Sequence, residues 1–252
     1  MTDFKEIFES RYTWIEGFMR NVRRYGWRTA MIDPIQKKTW TYRELNADVN
    51  RLTNRLVTDG LKKGDVMMMM MLNCPEFAFI YIAAHKGHFV NSPVSYRLSS
   101  GELADLLKTN KPKILFFDEA RKSDVLAAVK MSGWRPQRLV VVDGASDDTV
   151  ISFVDYVDGS TAEEPAFTCE YNIYDETTRL FTSGTTGHAK AVPLTSINEV
   201  LSSHDVMIHF PMSYKDVTMN TTPWFHRGGL HCAGPCPTFY AGAALVVMRK
   251  FD

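Results

Sequence analysis

Cysteine is scarce in this chain. Its 252 residues include four, Cys74, Cys169, Cys232 and Cys236. They are too few and too scattered for a disulfide framework, so reduced thiols in a cytoplasmic protein are expected. A charge excess is also lacking. Lys plus Arg number 29 and Asp plus Glu number 29, so the formal net charge is zero. A dedicated nucleic-acid binder carries a basic excess or stripe, so nucleic acid is not expected as a partner. Long hydrophobic runs are missing as well. The longest, VMMMMML at 66–72, falls far short of the roughly 20 residues that span a bilayer, so no integral membrane segment is expected. The N-terminal MTDFKEIFESRY mixes acids and bases and lacks the apolar h-region of a secretory signal. The sequence shows neither an internal repeat nor a low-complexity tract.

What is present is a 45% hydrophobic composition, enough for a real core, in a length that suits one large or two small domains. Short apolar runs alternate with amphipathic stretches. Thr41 and Glu44 form a capping box, and Leu45, Val49, Leu52 and Leu56 recur at helical spacing up to a stop at Gly60. The methionine run reads as a strand buried on both faces. Pro75 suits a first helical position, and Gly87 the end of that helix. Ser99 and Glu102 make a second capping box ahead of Leu103, Leu106 and Leu107. KILFFD (113–118) and RLVVVDG (138–144) read as strands on either side of a helix, KSDVLAAVKMSG. This alternation predicts an α/β fold of layered α/β subdomains with mostly parallel sheets.

Residues 145–177 are polar, acidic and weakly periodic, as in a connection between two layers. The expected division is therefore 1–170 for a first α/β subdomain and 171–252 for the start of a second. In the latter, strand TRLFT precedes a glycine-rich loop, and a helix starts near Ser196 with Glu199 closing a third capping box. A strand near DVTMNTTP, a helix over 229–240 and a strand AALVVM complete the pattern. A sheet that starts at 178 would lack neighbours and expose apolar edges.

The loop, TSGTTGHAK at 182–190, raises the question of phosphate binding. A Walker loop needs G-x-x-x-x-G-K-S/T. Gly184 plus five is Ala189, and Ala191 follows Lys190, so both the spacing and the magnesium-binding hydroxyl are missing. The Rossmann pattern fails too. The composition still suits an anion. Glycines let the backbone approach closely, successive N–H groups form a concavity, hydroxyls donate, and a lysine supplies a mobile charge. A surface turn rich in Ser, Thr and Gly has the same composition.

A resemblance separates the two readings. TSGTTGHAKAV resembles the signature T-S-G-S/T-T-G-x-P-K-G-V/A of the adenylate-forming (AMP-dependent) synthetase superfamily, which includes acyl-CoA synthetases, firefly luciferase and peptide-synthetase adenylation domains. Ala189 replaces the usual proline and Ala191 the usual glycine; neither change removes a phosphate ligand. Further segments are similar in order and spacing from about residue 28 to 252: TYRELNADVNRL through NCPEF, the stretch HKGHFVNSPVSYRLSSGELADLLKTNKPKILF, TTPWFHRGGL, and the closing GAALVVMRKFD.

The resemblance implies a ligase that joins a carboxylic acid to AMP using ATP and Mg²⁺, then transfers the acyl group to coenzyme A. It implies that Thr182, Ser183, Gly184, Thr185, Thr186, Gly187 and Lys190 hold the phosphates. His226 is the implied catalytic residue, with Trp224, Phe225, Gly228 and Gly229 in the acyl pocket. Assembly into a homo-oligomer is compatible with it. PWFHRGG looks more like the acyl-CoA synthetase pattern than like peptide-synthetase adenylation, and luciferase-like oxidation comes a poor second. The superfamily's chains are about twice this length, and its later adenine, ribose and C-terminal lysine motifs find no counterpart here. The chain is thus expected to resemble an N-terminal portion, inactive alone. A non-catalytic half complemented by a separate chain is the alternative. His226, His231, Cys232 and Cys236 offer a zinc-like spacing. On a single helix over 229–240, however, His231 and Cys232 would point to different faces, so no metal ligands are expected.

Overall fold

The computed structural model describes residues 3–167, 170–182 and 189–250. Two N-terminal helices, α1 (Phe4–Arg11) and α2 (Trp14–Tyr25), lead into a hairpin of β1 (Thr29–Asp33) and β2 (Lys38–Thr41). Strands and helices then alternate: α3 (Tyr42–Thr58), β3 (Val66–Met70), α4 (Pro75–Gly87), β4 (Val90–Pro93), α5 (Ser100–Asn110), β5 (Ile114–Asp118), α6 (Lys122–Ser132) and β6 (Arg138–Val142). Short β7 (Ile151–Ser152) and α7 (Phe153–Val157) close that series. Next come β8 (Glu176–Thr182), β9 (Lys190–Thr195), α8 (Ser196–His209), β10 (Val217–Met219), α9 (Arg227–His231), α10 (Pro235–Ala241) and β11 (Ala244–Val246).

The capping residues set several of these boundaries. Thr41 and Glu44 exchange hydrogen bonds at the start of α3, and Ser99 and Glu102 do so at α5, as their spacing predicts. Pro75 opens α4, where its missing N–H costs nothing. Gly60 sits at φ +86° just beyond α3, a conformation that favours glycine.

Two sheets result. The larger has seven strands in the order β7-β6-β5-β3-β4-β8-β9, and the smaller has four in the order β10-β11-β1-β2. Pairing is parallel except at the β8–β9 and β1–β2 hairpins. The methionine strand β3 lies inside the larger sheet. Its alternate residues enter opposite cores: Met67 and Met69 join one cluster, Met68 and Met70 the other. That is the burial on both faces expected of a parallel strand covered by helices. Leu103 and Leu107 of α5 pack with Val125 and Ala128 of α6 in the second cluster. The first cluster runs from the larger sheet through α4 to Met31 and Leu245 of the smaller one. Almost every residue of α4 is buried, as fits a helix enclosed between layers.

Sheet membership crosses the expected 170/171 division in both directions. β8 and β9 complete the larger sheet, and β1 and β2 pair with the late strands. The strand expected at 178 therefore has neighbours on both sides, β4 and β9, which corrects the expectation of an unpartnered sheet there. Exposed apolar side chains occur instead on β10, at Val217 and Met219. The polar connection is anchored through Glu164. Its carboxylate accepts from the buried Lys86 ammonium at 2.7 Å, and Asn46 and Asn50 accept from the same ammonium at 2.6 Å each.

Candidate functional site

The glycine-rich loop closes a hairpin. β8 ends at Thr182, β9 begins at Lys190, and these two residues face each other in the antiparallel register. β9 is absent from the sequence reading, which runs from the loop directly into a helix. Pro193 obscures it, yet proline is tolerated on an edge strand because no further neighbour needs its N–H. Lys190 is exposed and forms no ion pair among the described residues. Ser183, Gly184, Thr185, Thr186 and Gly187 lie outside the described residues.

Both ends of the loop border one cavity of about 280 Å³, close to the lower end of small-molecule sites. Leu98, Leu106, Phe181 and Phe225 make its wall largely apolar, while Ser95, Glu102, Thr182 and His226 add polar groups, and Ala189 follows the loop. The cavity thus joins Thr182 of the loop to Phe225 and His226, which are more than forty positions later in the sequence. Ser95, Leu98, Glu102 and Leu106 escaped the sequence reading as site residues. Leu106 and Glu102 carry an ordinary helix pattern there, and only the cavity they share with Thr182 and Ala189 sets them apart.

The imidazole of His226 lies 4.2 Å from the Phe225 ring, and Tyr96 meets Phe225 edge-on at 5.7 Å. Partial desolvation lowers the His226 pKa below the usual histidine range, so the ring is neutral at pH 7 and can both donate and accept a hydrogen bond. Hydrogen bonds from the Ser99 backbone and hydroxyl hold the Glu102 carboxyl below its ordinary range, so the cavity keeps a carboxylate at its edge.

The other expected pocket residues stand apart from this cavity. Trp224 is fully buried, meets Phe77 edge-on at 5.5 Å, and its backbone N–H donates to Asn73 Oδ1 at 2.8 Å. Gly228 is exposed. Gly229 is buried, and a Cβ there would sit 2.0 Å from the Pro223 carbonyl oxygen. That glycine is required by a close backbone approach within the chain, directly beneath the segment that carries Phe225 and His226.

The single helix expected over 229–240 is two short ones. α9 ends at His231, Ala233 takes φ +57°, and Pro235 starts α10. Gly234 precedes a proline, which biases it to extended backbone, and proline cannot continue a helix from within. The corner leaves Cys232 exposed and turns His231 and Cys236 inward. They meet Glu199. That residue was expected to close a capping box, but the box uses Thr195 and Asn198, one position earlier, with the Thr195 N–H donating to Asn198 Oδ1 at 2.9 Å. Glu199 is fully buried on α8. Its Oε2 lies 2.6 Å from His231 Nε2, 3.2 Å from Cys236 Sγ and 3.2 Å from the Tyr81 hydroxyl. Burial raises the Glu199 pKa, but the adjacent His231 outweighs it and holds the carboxyl well below the usual range. Burial pushes the Cys236 thiol well up.

Among the described residues no helix is long and apolar enough to cross a membrane. Known proteins resemble the chain over nearly its whole length. A crotonobetaine/carnitine–CoA ligase of Escherichia coli is 29% identical over 237 residues, covering 90% of this chain and 45% of its own. The corresponding ligase of Salmonella agona is 27% identical over 234 residues, with the same coverage. The chain therefore spans about half the length of these relatives. Among solved structures, the anthranilate CoA ligase AuaEII in complex with anthranoyl-AMP superposes with a TM-score of 0.88 at 18% identity, over 96% of this chain and 46% of its own. ATP-bound MatB from Rhodopseudomonas palustris gives 0.79 at 25% identity, over 94% and 46%. The fold is thus that of the N-terminal part of these enzymes. A family model described as AMP-binding enzyme matches residues 18–252, and the chain belongs to that family.

Proposed function

We propose that the whole protein is an AMP-forming acid–thiol ligase of the acyl-CoA synthetase type. A carboxylate oxygen attacks the α-phosphorus of ATP and pyrophosphate leaves. The thiol of coenzyme A then attacks the acyl carbonyl of the adenylate, forming the thioester and releasing AMP. The observation that carries this reading is the shared cavity. Thr182 and Ala189, which flank the phosphate-type loop in sequence, line it together with an apolar wall and His226, and this supports the reading.

Each group has a physical task. The meeting of two anions requires donors and cations aimed at the phosphates. The loop hydroxyls and Lys190 would supply these, with Mg²⁺ entering on ATP. Leu98, Leu106 and Phe225 would shield the reactive adenylate from water. His226 would hydrogen-bond the adenylate, a role its lowered pKa permits. Residues 171–252 would contribute the loop and His226, and residues 1–170 the facing wall. Crotonobetaine, carnitine and anthranilate, the acids named for the relatives, share only the carboxylate, so the carboxylic acid class is as far as the substrate is assigned.

Because the chain covers 45% of its curated relatives' length, residues 1–252 by themselves would bind MgATP weakly and not complete adenylation. The test is isotope exchange between pyrophosphate and ATP, using protein expressed from its complete native gene, with and without added carboxylic acids. Acid-dependent exchange supports the proposal; its absence across a broad acid panel counts against it. Robust exchange by residues 1–252 alone would refute the claim that they are insufficient.

A further inference from the structure

We propose that Glu199, His231 and Cys236 form a buried site for a zinc-class divalent cation. The three side chains offer one oxygen, one nitrogen and one sulfur, all within 4.8 Å of one another and all buried. This donor set suits a borderline-soft metal. Three protein ligands leave a fourth tetrahedral position, to be filled by a water, and the burial of all three keeps the ion away from bulk solvent. Bonds of about 2.0–2.3 Å to such donors place tetrahedral ligands about 3–4 Å apart. The Cys236–Glu199 separation of 3.2 Å already fits. The His231–Glu199 separation of 2.6 Å is a hydrogen-bond length. An ion would take the place of the shared proton and part that pair slightly. Binding displaces the Cys236 thiol proton and the proton between His231 and Glu199 to solvent.

The surroundings are organised as an outer shell. The Tyr81 hydroxyl donates to the Glu199 oxygen at 3.2 Å, and Ser203 Oγ lies 3.4 Å from Cys236 Sγ. Such contacts orient ligating carboxylates and thiolates. The ligands come from three helices held in place by other bonds. Trp14 Nε1 donates to the Cys236 carbonyl at 3.0 Å, and Ser203 Oγ donates to the Glu199 carbonyl at 2.8 Å. An independent observation also points to a ligand. Three donors, from His231, Cys236 and Tyr81, crowd Glu199 Oε2, while the second oxygen of the same fully buried carboxyl, Oε1, has no hydrogen-bond partner among the described residues. Hydrogen bonding within the cluster therefore leaves a carboxylate oxygen unsatisfied, a costly arrangement for a buried site. A bound cation would brace the corner between α9 and α10, just after the residue that reaches the cavity, His226.

Cobalt(II) is the probe, because a cobalt–thiolate bond gives a near-ultraviolet charge-transfer band. The full chain, purified without an affinity tag or chelator, is expected to carry zinc near one equivalent by elemental analysis. After its removal the chain should take up one equivalent of cobalt with that band. Cys236→Ser should abolish the band, and Cys232→Ser, at the exposed thiol, should leave it unchanged. Glu199→Gln removes a direct ligand and should weaken cobalt binding by more than the roughly 10–100-fold that loss of an outer-shell partner costs. Circular dichroism of each variant separates a lost site from a lost fold. The wild-type measurement decides the matter even if the variants do not fold. A folded wild-type chain that binds neither zinc nor cobalt overturns the proposal and leaves a buried His–Glu pair with thiol and phenol donors. A band that follows Cys232 instead of Cys236 also overturns it.

Discussion

Replacing Gly229 with alanine should damage the fold just beneath the cavity. The added Cβ would lie 2.0 Å from the Pro223 oxygen, 2.5 Å from its carbonyl carbon and 2.8 Å from the Thr222 oxygen. All three are backbone atoms, so no side-chain rotation relieves the clash. The 222–223 segment must move by more than an ångström, and it leads directly into Trp224, Phe225 and His226. Overpacking of this kind costs typically 1–3 kcal/mol, and the rigid neighbours place this case at the upper end, about 3 kcal/mol. For a chain of this size that corresponds to a fall in Tm of about 6–12 °C. The control is the adjacent Gly228, where a Cβ would meet only Thr222 Cγ2, at 4.0 Å. Gly228→Ala should change stability by under about 1 kcal/mol. Urea unfolding monitored by tryptophan fluorescence measures both. Equal midpoints for the two variants, or a wild-type midpoint for Gly229→Ala, would refute the reasoning.

Burial lowers the pKa of both His85 and His88 to about 4, with Lys63 adding to the effect at His88. Unfolding frees them to take up protons near their ordinary value of about 6.5. The contribution of these two rings to stability should therefore be full above that pH, fall as pH drops toward 4, and level off below, where carboxylates with lowered pKa such as Glu102 and Glu199 take over the decline. Urea midpoints across this range check the sign, and a flat profile between about pH 7 and pH 5 would contradict it. His88→Asn, which tolerates the left-handed backbone at φ 58°, should flatten part of the slope. In the whole protein, His226→Ala removes a hydrogen bond to the adenylate and should lower kcat/KM roughly 100-fold or more while leaving the unfolding midpoint near wild type, because the ring is exposed. Steady-state thioester formation together with a melting curve would show whether the two effects separate.

The parts of this structure that follow local rules were legible in the sequence. The α3 and α5 capping boxes, Pro75 at the start of α4 and the doubly buried methionine strand each depend on residues within a few positions. Elements set by long-range pairing were not. β1 and β2 belong to a sheet completed by β10 and β11, from the far end of the chain. β9 is a strand because β8 pairs with it, although its own sequence contains a proline. Glu199 matched a capping pattern from Ser196, yet a cap one residue earlier prevailed and the carboxylate went into the core. Among candidate site residues, Thr182, Phe225 and His226 do share a cavity. Trp224 is drawn away by its packing on Phe77. The convergence of His231 and Cys236 depends on a chain reversal at Ala233 and Gly234, which helical periodicity alone does not reveal.

The central claim is that the loop between Thr182 and Lys190 binds the phosphates of ATP for carboxylate activation. Acid-dependent pyrophosphate–ATP exchange by the protein from its complete native gene, compared with its Lys190→Ala variant, tests it most directly. A point-charge contact made to the phosphates in the transition state is worth about 2.7–4 kcal/mol, so exchange should fall roughly 100- to 1,000-fold. Since Lys190 is exposed, the unfolding midpoint should stay at the wild-type value. Exchange at the wild-type rate in the variant, or no acid-dependent exchange in the parent protein, would contradict the account.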